Sequence, residues 1–82
     1  MLEKFKVSMP RRDTLVYEKK GLQVVFEVEV LSDGIVLYTN SPEIIEGKET
    51  ELSREIAQIK DWLEKKFTKV EIDNSPPKTF KL

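Results

Sequence analysis

The sequence predicts an α+β domain: a small antiparallel sheet built as a β-β-β meander, extendable by an extra N-terminal strand, covered on one face by a single amphipathic helix and followed by a short C-terminal strand. Three observations carry that expectation. Every even position from Leu22 to Val30 is apolar (Leu22, Val24, Phe26, Val28, Val30) while the odd positions are mixed, the period-two mark of a half-buried strand. Asp33-Gly34 then interrupts two such runs in the way a tight hairpin turn does. Further on, Leu52, Ile56, Ile59, Leu63 and Phe67 recur at spacings of four, three, four and four, one apolar stripe along a helix.

Taken in order, residues 2–9 alternate weakly, with Phe5, Val7 and Met9 set against Lys4, Lys6 and Ser8, and residues 3–8 form the candidate extra strand. Pro10 opens "PRRD", read as a turn. "TLVYEKK" at 14–20 is rich in strand formers, and Gly21 can supply a positive φ for the next turn. The length of that turn sets the register: a two-residue Lys20-Gly21 loop pairs Tyr17 with Val24, and a three-residue loop pairs Val16 with Val24. Placing Asp33 and Gly34 in the following loop sets Leu31 opposite Val36, Val30 opposite Leu37 and Glu29 opposite Tyr38.

"NSPEIIEGKETE" combines a helix-start signal at Ser41-Pro42 with Gly47 a turn later, so a short turn or loop is expected there. The helix is expected over 50–67, about 27 Å long at about 1.5 Å per residue, with Thr50 or Ser53 as its cap and Glu51 or Glu55 near its positive end. "TKVEID" gives the last strand at 69–73, with Val70 and Ile72 on one face. The single domain thus covers residues 1–73. Residues 74–82, "NSPPKTFKL", form an extended or flexible tail, whose Phe80 and Leu82 give it a pattern able to add to a sheet edge.

The expected core is Leu15 or Val16, Tyr17, Leu22, Val24, Phe26, Val28, Val30, Ile35, Leu37, Leu52, Ile56, Ile59, Leu63, Phe67, Val70 and Ile72. Eighty-two residues suffice for one such core and not for two. With no cysteine, that core has no disulfide to reinforce it.

The chemistry is bounded mainly by what the composition omits. With neither histidine nor cysteine, Ser-His-Asp and Cys-His machinery and the usual zinc sites are excluded, and no catalytic residue, cofactor or metal site is expected. The three glycines are isolated and form no phosphate-binding loop. No apolar run reaches the length of a signal sequence or a membrane span, so a cytoplasmic protein that does not enter the membrane is expected.

Net charge is -1, but it is blocked: +3 over residues 1–20, -6 over 21–55 and +2 over 56–82. Such blocks are ordinarily solvated faces. Glu27 and Glu29 share a strand face about 7 Å apart, a spacing compatible with paired carboxylate chemistry but ordinary on a wet strand.

A helix on one side leaves the other face of the sheet without cover. That face would show Val25, Leu31, Val36 and Tyr38 beside Glu27 and Glu29, more apolar content than a wet face needs. Trp62 lies at the margin of the helix stripe, either closing the core edge or anchoring an interface. These seven residues are the candidate protein-binding set of a non-enzymatic interaction or regulatory module, engaging a protein partner or a second copy as a homodimer. The alternative is a nucleic-acid-associated protein using Lys4, Lys6, Arg11, Arg12, Lys19 and Lys20 as its phosphate contacts.

Overall fold

A computed structural model describes residues 4–48 and 52–74. The elements run β1 (Phe5–Arg11), β2 (Thr14–Lys19), β3 (Leu22–Leu31), β4 (Gly34–Glu46), α1 (Ser53–Glu64) and β5 (Lys69–Asp73). They build one five-stranded sheet in the order β1-β2-β3-β4-β5. The first four strands pair antiparallel, and β5 lies parallel to β4. A parallel neighbour needs a long crossover, which α1 supplies. The expected α+β class, the extra N-terminal strand and the single covering helix are all present.

One face of the sheet is the core. Leu15, Tyr17, Val24, Phe26, Val28, Ile35 and Leu37 project from it, and Ile59 and Leu63 descend from the helix with Leu52 from the position that caps it. Val30, Ile56, Phe67, Val70 and Ile72 are only partly buried and close its margins. The two-residue Lys20-Gly21 loop is realised, with Gly21 at φ 80° and Tyr17 opposite Val24, so Leu15 enters the core and Val16 does not. Tyr17 is fully buried because its ring stacks on Phe5 at 5.5 Å while its hydroxyl donates to the Gln58 side-chain oxygen. The phenol therefore tethers β2 to the helix and satisfies its own polar atom.

Four sequence expectations are corrected. The N-terminal strand runs on to Arg11, with the irregularity between Ser8 and Arg11 absorbing Pro10 on an edge strand, where a missing donor is harmless. The third turn is Ser32-Asp33, with Leu31 opposite Gly34. Gly34 has no positive φ; an added Cβ there would lie 2.3 Å from the Lys69 carbonyl oxygen, so it is the arrival of β5 that requires glycine.

The segment read as a loop after Asn40 is the second half of β4. It pairs Val25 with Glu43 and Val24 with Ile44, and the extra residues between Tyr38 and Glu43 bulge out and accommodate Pro42. The helix is shorter than the 50–67 expectation. Leu52 occupies its N-cap position without a side-chain hydrogen bond, and Ser53 is its first residue. Thr50 and the tail from residue 75 onward lie outside the described residues.

Glu55, expected near the helix start on grounds of charge, is buried. Its Oε2 meets Lys19 Nζ at 2.6 Å, with both side chains less than a sixth exposed. Lys19, beside Tyr17 on β2, thus turns under the first turn of the helix instead of into solvent.

Candidate interaction face

The face opposite the helix is assembled by strand alternation and register. Val16 stands opposite Val25, Glu27 opposite Tyr38, and Glu29 opposite Val36. Beyond β4, Glu71 lies beside Val36 and Asp73 beside Tyr38. The apolar side chains therefore run diagonally from Val16 through Val25 to Tyr38 and Val36, with carboxylates on both flanks.

Two residues of the expected set behave differently from the sequence reading. Val36 is only 7% exposed, because it sits on a strand paired on both sides, flanked by Glu29 and Glu71; it floors the face and is not available on it. Leu31, at 42%, projects from the strand end and faces Gly34, so it has no side chain opposite it. Val25 and Tyr38 are half-buried and reachable, and Glu27 and Glu29 are exposed on the open sheet.

The expected direct pairing of Glu29 with Tyr38 is replaced by a diagonal one, since the turn lies one residue earlier. The contact survives because a tyrosine spans the diagonal: its hydroxyl donates to Glu29 Oε1 at 2.7 Å. That hydrogen bond, then desolvation, then the charges of Glu29, Asp73 and Glu27, push the Tyr38 phenol up from 10.0 to about 12. Below the unfolded phenol's pKa the neutral hydroxyl is present in both states and the hydrogen bond contributes fully. As pH climbs from there through the folded pKa, the unfolded chain ionises first and the contribution drains away. Stability measured at pH about 9 and about 11.5 should therefore fall more for the wild type than for Tyr38→Phe, by less than about 1 kcal/mol because the pair is solvent-exposed.

The remaining candidates separate. Trp62 is half-buried and packs on the core margin, with Lys66 Nζ 4.9 Å from its ring centre, which makes it a core-edge residue. The six basic residues do not converge. Lys4, Lys6 and Lys20 lie at one end of the β1–β2 hairpin, Arg11 and Arg12 at the other, and Lys19 is engaged by Glu55.

Sequence reasoning missed a cleft of about 280 Å³ on this face, beside the β4 bulge, lined by Asp13, Thr14, Val25, Phe26, Glu27 and Glu43. Its only signal was Pro42 inside an otherwise strand-like run. Among the described residues neither Glu27 nor Glu43 has a cationic partner.

Fold and face together define a small sheet-and-helix domain with one side covered by the helix and one acidic side that no element among the described residues covers. Comparison with protein-family models, with curated proteins and with solved structures finds no match for the chain. No helix among the described residues is long and apolar enough to cross a membrane.

Proposed function

We propose that this protein is a non-enzymatic interaction or regulatory module that works in the cytoplasm by docking through the open face of its sheet. The observation that supports this reading is the diagonal of Val16, Val25 and Tyr38 on a face that no element among the described residues covers. A sheet face whose only task is solvation gains nothing from apolar side chains in its middle. Exposed Glu27 and Glu29 on an open sheet, in a chain without histidine or cysteine, favour binding over catalysis.

The test is substitution at the reachable positions. Val25→Asp and Tyr38→Ala should each weaken association at least about tenfold, as loss of a central anchor does, whether association is followed as self-association by sedimentation or as binding of an isolated partner. Both residues lie off the core face, so the folded circular dichroism spectrum should persist. Association unchanged by either substitution would remove the open face from consideration.

A further inference from the structure

The open face is acidic as well as apolar, and its charges are arranged around a cleft. Glu27 and Glu43 stand on adjacent strands, with Asp13 at the β1–β2 turn closing one end and Val25 forming an apolar wall. The cleft exists because β4 places four residues between Tyr38 and Glu43 where β3 places only Phe26 between Val25 and Glu27. The surplus backbone swings aside and leaves a gap next to Glu27.

Three chemistries could neutralise such a group. A metal ion needs its oxygen ligands converged at about 2.0–2.6 Å. Among the described residues no three carboxylates are close enough to provide that. A second copy of this face would bring carboxylates against carboxylates, at an energetic cost that grows as water leaves. An arginine side chain fits both properties: its methylenes can lie along Val25, and its planar guanidinium has five donors to distribute among carboxylates that are spread apart.

We infer that the open face docks an arginine-bearing, basic segment of a protein partner, with one arginine seated in the cleft between Glu27, Glu43 and Asp13. This rests on the interaction-module reading above and specifies the partner's chemistry. Arg11 stands opposite Thr14 at the rim of the cleft. It opposes such a partner by like charge, so removing it should strengthen binding; a nucleic-acid-binding role for Arg11 requires the opposite sign.

The experiment is fluorescence anisotropy with a labelled peptide of alternating arginine and valine, and a glutamate–valine peptide as control. The arginine peptide should bind and weaken with added salt, and the glutamate peptide should not bind. Glu27→Gln/Glu43→Gln should weaken binding about tenfold and Arg11→Ala should tighten it about twofold, while Asp61→Asn/Glu64→Gln on the helix should leave it unchanged.

Absence of binding, equal binding of the glutamate peptide, or equal loss in the helix variant overturns the inference. Sedimentation separates the two levels. A dimer dissociated by Val25→Asp, with no arginine-peptide binding, overturns the basic partner and retains the interaction face. A monomer that binds neither peptide overturns the basic partner, and the interaction face falls with it if Val25→Asp and Tyr38→Ala also leave binding of an isolated partner unchanged.

Discussion

Lys19→Ala should destabilise the domain by about 3 kcal/mol, a large share of the margin of a domain this small, measured as a shift in the urea midpoint. Glu55 is 8% exposed in the first turn of α1, and its Oε2 meets Lys19 Nζ at 2.6 Å. Its other oxygen, Oε1, has no hydrogen-bond partner among the described residues. Removing the lysine leaves a buried carboxylate with only the helix dipole for compensation, and that interaction is worth at most about 2 kcal/mol. Replacing both partners by apolar residues of similar size, as in Lys19→Met/Glu55→Leu, should restore most of the loss, because no charge then remains to be desolvated. A double variant as unstable as the single one would show that the pair's packing, and not its charge, matters.

Gly34→Ala should cost about 3 kcal/mol and detach β5. The new Cβ would lie 2.3 Å from the Lys69 carbonyl oxygen and 2.6 Å from its Cβ. Backbone cannot yield as the end of a flexible side chain can, so β4 and β5 must separate locally. The parallel pairing of Ile35 with Val70 and Leu37 with Ile72 then suffers, and with it the margin of the core. Hydrogen exchange of the β5 amides checks this directly: protection should fall there more than in β2 or β3. Gly21→Ala is the contrast, since an added Cβ meets nothing within 4 Å and the strain comes only from φ at 80°.

The positions where the sequence was readable are those governed by a single constraint. From Leu22 to Val28 the alternation is unbroken because one face meets the helix and the other meets water, so burial follows parity. The stripe from Leu52 to Leu63 is legible for the same reason. Asp33-Gly34 misled because glycine has two uses, a positive φ and a small volume, and local sequence shows only the first. The second depends on Lys69, more than thirty residues away. Pro42 misled likewise: a bulge lets a strand continue through a residue that cannot donate.

The candidate face was legible in outline and not in depth. Parity alone places Val25, Glu27, Glu29 and Tyr38 on the side away from the helix, and the turn's displacement moved the register without changing that parity. Burial of Val36 depends on β5 pairing beside it, and the cleft depends on the bulge. Both arise from contacts between elements, which a one-dimensional pattern does not carry.

The strand order has a consequence for how the chain finds this shape. From β1 through β4 every strand pairs with its immediate predecessor, so each pairing can nucleate at a turn of two residues and zip outward with little loss of chain entropy. β5 is the exception. To set Val70 beside Ile35, the chain must close a loop that contains the rest of β4 and the whole helix. The meander can therefore form early, while the helix and last strand dock late and together. Opening is expected in the reverse order, from the β5 edge inward, so the β5 amides should exchange before those of β2 and β3.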